Sequence, residues 1–203
     1  MTMKPPHRIL ALAAAALALA SAAPAAVETY TIDPVHSSVG FKIRHIVSHV
    51  PGQFTKFNGT LTVDRDNLEN SAVEATIDVG SISTNNDRRN NHLRSPDFFE
   101  VAKFATMTFK SKAWKKTGDS TFDVTGDLTI KGVTKEVVLK VTLLGFAPGM
   151  GGGQTSGWEA TTTLNRRDFG VNGPAMLGNA LGDEVAVSIT VEADAPAPAP
   201  AKT

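Results

Sequence analysis

Residues 81–99 read SISTNNDRRNNHLRSPDFF and interrupt a chain in which apolar and polar residues otherwise alternate. A polar run without a period of two cannot form half of a buried sheet. Thr84 or Asn85 can cap a helix, and Asp87 suits the first turn of that helix. We therefore predict a short helix over about residues 86–94.

The second part of this segment supplies a turn and an apolar pair. Pro96 must interrupt or restart a helix, because proline lacks an N–H and clashes with the preceding turn. A second turn is therefore predicted over residues 96–101, and it carries Phe98 and Phe99. We expect the segment near residues 86–100 to form a helical plug that closes one end of a barrel, with these rings facing the interior.

Alternation predicts strands on both sides of the plug. Residues 73–79 put an apolar side chain at every second position, which is typical of a half-buried strand. In the strand predicted over residues 52–63, the apolar parity flips between Phe54 and Phe57, which indicates a bulge near Lys56. Residues 46–51 are predicted to form a loop. Many long strands joined by short turns favour a closed antiparallel barrel over a sandwich.

The two ends of the chain differ from this middle part. Lys4 and Arg8 precede an uncharged Ala/Leu run, residues 9–20, and small residues follow it. This run is shorter than the ~20 residues of a spanning helix, so we predict a cleaved signal peptide over residues 1–25 and export to the periplasm. The barrel domain is predicted over residues 27–192, and the Ala/Pro-rich end, residues 193–203, is predicted to be a disordered tail.

Composition excludes several classes of function. The chain holds 20 basic and 20 acidic residues, and two of the basic ones lie in the predicted signal. A nearly neutral mature chain gives no reason to expect nucleic acid or stable membrane insertion. There is no Cys, so thiol chemistry and disulfides are excluded. The sequence leaves a homodimer open.

The histidines and serines do not form a recognisable catalytic or metal motif. A metal site needs three or four converging ligands, and the spacing of His36, His45, His49 and His92 does not supply them. Residues 33–37 read DPVHS, but neighbours in sequence seldom adopt the geometry of a catalytic triad. We predict no metal, no cofactor and no catalytic residue, with side-chain bonds from this turn to the backbone instead.

Two groups of residues are candidates for ligand binding. The first is apolar, and its members form a core or line a pore for an apolar ligand: Phe41, Ile43, Phe54, Phe57, Phe98, Phe99, Phe109, Trp158 and Phe169. The second group is polar: Arg89, His92 and Arg166. Arg89 and His92 share a helix face, and the three either tie the structure together or bind an anionic head group at the pore mouth.

These residues also belong to a set of motifs that follows a known family in order along nearly all of the mature chain. The motifs are Tyr30-x-Ile-Asp-x-x-His36-Ser, Phe41-x-Ile-x-His45, Gly52-x-Phe-x-x-Phe-x-Gly59, Ser81-Ile-x-Thr84-Asn, Arg89-x-x-His92-Leu-Arg-Ser-x-Asp-Phe98, Phe109-x-Ser111, Gly126-x-Leu-Thr-Ile-x-Gly-Val-Thr134 and Asn165-Arg-x-Asp-Phe-Gly170. Together they closely resemble the YceI-like family of exported, polyisoprenoid-binding, lipocalin-like proteins. Family members typically have Asp after the arginine that matches Arg89, whereas this chain has Asn90.

The resemblance implies an all-β fold, an extended eight-stranded antiparallel lipocalin-like barrel with a helix at one end. It also implies an apolar pore that holds an isoprenoid chain or a similar lipophilic amphiphile. We therefore expect a periplasmic protein that stores, transports or sequesters such molecules and is not an enzyme. Two alternatives stay open: an enzyme acting on a bound lipid through His36 and His92, and a structural or stress-response domain whose pore is filled by its own side chains.

Overall fold

The computed structural model of the chain describes residues 27–150 and 152–197. The predicted signal peptide, residues 1–25, and the last part of the predicted tail, residues 198–203, lie outside the described residues. Within the described part, no helix is both long enough and apolar enough to cross a membrane.

Antiparallel strands account for most of the described chain. The strands and the helix are β1 (Glu28–Ile32), β2 (Ser38–His45), β3 (Ser48–Phe54), β4 (Phe57–Val63), β5 (Ala72–Asp78), β6 (Ile82–Ser83), α1 (Asp87–Arg94), β7 (Thr106–Lys116), β8 (Thr121–Ile130), β9 (Val133–Pro148), β10 (Gln154–Asn165) and β11 (Leu181–Ala195). Short 3-10 turns cover Leu68–Asn70, Val79–Ser81, Arg166–Phe169 and Ala175–Ala180.

These eleven strands form a closed ring of eight rows. Three rows consist of two strands separated by a kink, namely β1 with β2, β3 with β4, and β5 with β6. In one half of these rows β1 pairs with β4, β4 with β5 and β5 with β7; in the other half β2 pairs with β3 and β3 with β6. Strands β7 to β11 then pair in chain order. The ring closes because β11 pairs with both β1 and β2. The predicted eight-stranded antiparallel barrel is confirmed, and its rows follow one another in the order of the chain.

The kink between β3 and β4 falls where the sequence pattern changes parity. Ser81 Oγ accepts hydrogen bonds from the main-chain N–H groups of Thr55 and Lys56, at 3.1 and 3.0 Å. The neighbouring row therefore satisfies the two donors that leave the ladder at this point. Because the strand turns here, Phe54 and Phe57 both face the barrel interior, and the predicted irregularity near Lys56 is confirmed.

The loop predicted over residues 46–51 is wrong for most of its length. Strand β3 already begins at Ser48, and Pro51 lies inside it opposite Lys42 of β2. On its other side β3 pairs with β6 only at Gln53 and Phe54. Pro51 therefore lies where β3 has a single neighbour, and such an edge position tolerates a residue without an N–H.

A bulge in β7 changes which residues face inward. The register against β8 shifts between Ser111 and Ala113, close to Gly126 of β8. A Cβ on Gly126 would lie 2.5 Å from the ring of Phe109, so glycine there leaves room for that ring. Phe109 and Trp114 are an odd number of positions apart and would face opposite sides of a regular strand. The bulge brings both into the interior.

Helix α1 begins and ends close to its predicted limits. Its N-cap is Asn86, whose Oδ1 accepts a hydrogen bond from Arg89 N at 2.9 Å. The predicted caps Thr84 and Asn85 are wrong, because Thr84 is buried and bonded to Asn90 and Asn85 has a positive φ of 57°. The chain then turns back through residues 95–103 before β7, which includes the second turn that Pro96 predicts.

Two apolar clusters divide the interior along the barrel. The first, here called the Trp end, contains the buried residues Tyr30, Ile32, Leu61, Val63, Trp114, Phe122, Val124, Val141, Trp158, Ala193 and Ala195. The second, here called the plug end, contains Phe54, Val79, Ile82, Phe98, Met107, Ile130, Phe169 and Val171. Leu93 of α1 and Phe99 pack on the plug end, so the helix covers one end of the barrel as predicted.

The last strand extends further than the predicted domain boundary at residue 192. β11 continues to Ala195, and Ala193 pairs with Ile32 of β1 and Ser156 of β10. Ala193 and Ala195 are buried while Asp194 between them is exposed, which is ordinary strand alternation. The tail predicted from residue 193 was therefore placed three residues too early, because small alanines fit between the two neighbouring strands.

Candidate ligand cavity

The barrel is hollow between its two ends. A cavity of about 440 Å³ lies inside it, and its walls come from inward-facing side chains of every row and from the plug. This volume lies within the range of roughly 300–1,000 Å³ that small-molecule sites occupy. The alternative in which the chain's own side chains fill the pore does not agree with this geometry.

The structure places every predicted pore residue on the cavity wall. Phe41, Ile43, Phe54, Phe57, Phe98, Phe99, Phe109, Trp158 and Phe169 all line it. Phe41 has room because Gly52 lies opposite on β3, where an added Cβ would come within 2.3 Å of its ring. Phe98 and Phe99 contribute from the turn after α1, and Phe99 meets Phe54 edge-to-face at 6.1 Å. Contact of these residues with a ligand stays a prediction.

Trp114 also lines the cavity, although the sequence reasoning did not select it. Its ring meets that of Trp158 edge-to-face, with centroids 5.6 Å apart, and it also packs on Phe122 at 5.9 Å. Phe146 covers Trp158 from the other side at 6.0 Å. Strict alternation from Phe109 would place Trp114 on the outer face, and the bulge opposite Gly126 is the feature that turns it inward.

Arginine hydrogen bonds attach α1 to the barrel. Arg94 donates from Nε to Gly80 O at 2.8 Å and from Nη2 to Ile82 O at 3.0 Å. Both acceptors precede the helix, one in the turn Val79–Ser81 and one in β6, so Arg94 fixes the end of α1 to the barrel wall. A guanidinium holds several donors in one plane, and this geometry suits two carbonyl oxygens of neighbouring residues.

Thr84 is the centre of a second set of contacts at the plug. Its N–H and its hydroxyl both donate to Oδ1 of Asn90, at 2.8 and 2.7 Å. Arg89 donates from Nε to Thr84 Oγ1 and from Nη2 to Thr84 O, both at 2.7 Å. Asn90, where family members typically have Asp, thus binds the threonine rather than an arginine. Arg89 and Thr84 both line the cavity.

Arg166 is held by the chain itself. It is 6% exposed and donates to Gly182 O and Val171 O, both at 2.8 Å, and to Asn172 O. Its Nη2 reaches Asp183 Oδ1 at 2.8 Å. Burial lowers the pKa of its guanidinium, and Asp183 opposes that shift. These contacts match the structural interpretation of Arg166, and its predicted contact with an anionic head group stays a prediction.

His92 lies on α1 at the cavity wall and is also bonded within the plug. Its Nε2 is 2.7 Å from Asp97 Oδ2, and its ring meets that of Phe98 edge-to-face at 5.1 Å. The side chain is 45% exposed, so one side of the ring faces solvent. Together with Asn86, Arg88 and Arg89 it lines a shallow depression on the outside of the plug. His92 and Arg89 are therefore neighbours, as their spacing predicts.

His36 lies apart from the cavity wall. Its Nδ1 is 2.6 Å from Asp33 Oδ2 and 3.7 Å from Glu192. Their hydrogen bond raises the pKa of His36 and lowers the pKa of Asp33. Ser37 Oγ donates to Glu192 O and accepts from Glu192 N, at 3.1 and 3.0 Å. The serine thus ties the kink between β1 and β2 to β11, as predicted, and does not face the histidine as a nucleophile would.

Comparison with known proteins agrees with this architecture. The family model of the YceI-like domain matches residues 30–193. The chain belongs to the YceI-like family. A UPF0312 protein of Pseudomonas savastanoi pv. phaseolicola is 41% identical over 175 residues, which cover 85% of this chain and 91% of that protein. The chain therefore matches this relative over nearly its whole length.

Solved structures of YceI-like architecture share the barrel. BcnA of Burkholderia cenocepacia superposes with a TM-score of 0.72 at 25% identity, over 79% of this chain and 98% of that chain. A polyisoprenoid binding domain from Saccharophagus degradans, implicated in plant cell wall breakdown, superposes with a TM-score of 0.64 at 16% identity. It covers 84% of this chain and all of that domain, and at this identity the likeness is one of fold.

Proposed function

We propose that this chain is an exported binding protein that holds a polyisoprenoid or a similar lipophilic amphiphile in the barrel cavity. The observation that carries the proposal is a cavity of about 440 Å³ walled by apolar side chains. The polyisoprenoid-binding domain with the same barrel supports the same class of ligand. Storage, transport and sequestration all need such a cavity, and none of them needs a catalytic residue.

The energetics favour a ligand with several apolar units. Burying ten carbons yields roughly 8 kcal/mol gross, at about 0.8 kcal/mol for each carbon. Loss of translational freedom and ordering of the chain take back a large share of this. Useful affinity therefore requires a long hydrocarbon chain enclosed on all sides. The closed ring of long strands provides this enclosure.

The ligand reaches the cavity at the plug end in this proposal. Most of the polar side chains on the cavity wall belong to the plug or to the elements beside it, namely Thr84, Arg89, His92 and Arg166, whereas His45 and Thr162 line it from β2 and β10. Arg89 and His92 are the better placed to meet an anionic head group, because Arg166 is buried and bonded to the chain itself. A charged group favours this wetter end over an apolar interior.

Export remains part of the proposal. It rests on the basic residues and the short apolar run of residues 1–20. N-terminal sequencing of the protein from its native source should give a mature chain that begins between residues 23 and 27. A chain that begins at Met1 and fractionates with the cytoplasm would contradict export.

A pair of matched variants tests ligand binding. Ala160 lines the cavity, whereas Ala186 is an exposed residue of β11 that does not line it. Ala160→Phe should fill the cavity and reduce bound lipid, while Ala186→Phe should retain it. Protein purified from its own periplasm is analysed by native mass spectrometry and lipid extraction. If the wild-type protein carries no lipophilic ligand and binds no added prenyl compound, the proposed function is wrong.

A further inference from the structure

Two hydrogen-bond donors at the Trp end have no acceptor among the residues that the structure describes. In the described part of the chain, the indole N–H groups of Trp114 and Trp158 are the only fully buried side-chain polar atoms without a partner. The two residues are 6% and 3% exposed, and both line the cavity. Buried indole N–H groups usually have a hydrogen-bond acceptor. Two neighbouring indoles without one therefore need an explanation.

No side chain of the described residues accepts a hydrogen bond from these indoles. The neighbouring cavity wall is made of Phe109, Val124, Leu139, Val141 and Ala160. Around Trp158 the main-chain groups are committed to the ladders with β9 and β11. Around Trp114 strand β7 pairs with β8 alone, and no main-chain oxygen of the described residues accepts from either indole. Because both residues line the cavity, a molecule inside it can supply the acceptor that the protein does not.

Packing alone does not account for tryptophan at these two positions. Phenylalanine supplies a large apolar ring without a donor, and the same cluster uses it at Phe109, Phe122 and Phe146. The two tryptophans of the chain both occur here, with their rings in edge-to-face contact. What tryptophan adds over phenylalanine is a larger ring and one N–H donor, and the donor is the part that the protein leaves unused.

We propose that Trp114 and Trp158 form a subsite that donates hydrogen bonds to a neutral oxygen of the bound ligand, such as a carbonyl, ether or hydroxyl group. This inference rests on the proposed function, since it assigns the chemistry of one end of that ligand. The oxygen is neutral because, among the described residues, the arginines on the cavity wall, Arg89 and Arg166, lie at the plug end, and an ion without a partner is strongly disfavoured in an apolar cavity. The protein thereby selects oxygen-bearing lipids over plain hydrocarbons of the same length.

Nuclear magnetic resonance reads the subsite directly, because the chain has two tryptophans and hence two indole N–H signals. The ligands are farnesylacetone, a prenyl ketone, and a hydrocarbon of equal length in which a methylene replaces the carbonyl. The ketone should move at least one indole proton signal downfield, as a new hydrogen bond does. The hydrocarbon should leave both signals without a downfield shift.

Affinity for the same two ligands gives the second measurement. Trp158→Phe and Trp114→Phe remove the donor and keep most of the ring. Each should weaken ketone binding by roughly 3–10-fold, the scale of one neutral hydrogen bond, with less effect on the hydrocarbon. Phe98→Leu at the plug end is the matched control. It should weaken the binding of the ketone and of the hydrocarbon equally. Two tryptophan variants keep the test informative if one of them does not fold.

The outcomes separate this inference from the proposed function. Equal losses of both ligands in the Trp→Phe variants, or indole signals that the ketone leaves unmoved, would overturn the subsite while lipid binding stands. Indole signals that exchange with a retained water in the ketone complex would overturn it as well. Failure of the wild-type protein to bind either ligand would instead overturn the proposed function.

Discussion

The two ends of the barrel are closed in different ways. At the Trp end, aromatic rings and small side chains fill the space, and Tyr30 and Phe122 are 0% and 1% exposed. At the plug end, α1 and the turn at Arg166 are attached by arginine hydrogen bonds to main-chain oxygens. Apolar packing is non-directional and adds up over many contacts, whereas each hydrogen bond depends on one geometry.

This difference separates stability from ligand access. Removing a ring at the Trp end leaves a hole among packed side chains, so we expect the free energy of unfolding to fall steeply there. Removing a contact at the plug end releases a cover that borders the cavity, so ligand binding should respond more than stability does. Four predictions test this comparison, from the largest expected effect on stability to the smallest.

Phe122→Ala should destabilise the protein most, by about 3–5 kcal/mol, because the ring is fully enclosed and packs on Trp114. Urea unfolding followed by circular dichroism measures this loss. Val138→Ala is the control, since Val138 is an exposed residue of β9 and should change stability little. If Phe122→Ala costs less than about 1 kcal/mol, the Trp end is not the rigid part of the barrel.

Arg166→Gln should lower the free energy of unfolding by about 2–3 kcal/mol, because buried carbonyls and Asp183 lose their donor. The neighbouring Arg167→Gln, at a more exposed arginine that also binds Asp183, serves as the matched control and should cost less.

The same Arg166 variant decides between a structural and a ligand-binding role. If Arg166 meets an anionic head group, Arg166→Gln should weaken the binding of a prenyl diphosphate by roughly 1.5–3 kcal/mol. The binding of the matching uncharged prenyl compound should stay almost unchanged. Equal losses of the two ligands would show that Arg166 supports the barrel and binds no head group. Arg89→Gln, tested on the same two ligands, shows whether the more exposed Arg89 binds an anionic head group.

Phe99→Ala should reduce stability by only about 1–2 kcal/mol, since the half-buried ring packs on Phe54 beside the cavity. Affinity for a prenyl ligand should fall by more than stability does, because the ring forms part of the plug wall. Unfolding curves and ligand titrations on the same preparation measure the two losses. A stability loss as large as that of Phe122→Ala, with unchanged ligand affinity, would remove the contrast between the two ends.

The contact between Asp33 and His36 should give a small, pH-dependent contribution. Because the pKa of His36 is raised in the folded protein, protonated His36 stabilises the fold below the ordinary histidine pKa of about 6.5. This stabilisation is lost as the pH rises through the raised pKa. Because the pKa of Asp33 is lowered in the folded protein, ionised Asp33 stabilises the fold above the ordinary aspartate pKa of about 4. This stabilisation is lost as the pH falls through the lowered pKa. The pair should therefore stabilise most between about pH 4 and 6.5.

Unfolding of Asp33→Asn, His36→Gln and the double variant at several pH values isolates this coupling. A coupling that is the same at every pH would mean that the two side chains do not act as an ion pair. Because neither side chain lines the cavity, ligand affinity should not change in any of the three variants.

Local sequence patterns determined much of the candidate site. The polar run of residues 84–94 contains its own cap and first turn, so α1 could be placed within one residue. The aromatic residues chosen as pore lining all reach the cavity wall, because alternation fixes the face of a regular strand. The motifs around His36 and Arg89 identified the family and, through it, the number of strands.

Tertiary structure decided what alternation could not. The bulge beside Gly126 reversed the face of Trp114, and a register shift depends on the partner strand rather than on local preference. The bonds of Arg166 to Gly182 and Val171 exist only after the barrel closes, since they join residues from separate elements. The sequence by itself thus determined most of the elements and the inward faces of the regular strands, whereas only the closed barrel decided which donors remain unpaired, because hydrogen-bond satisfaction depends on three-dimensional neighbours.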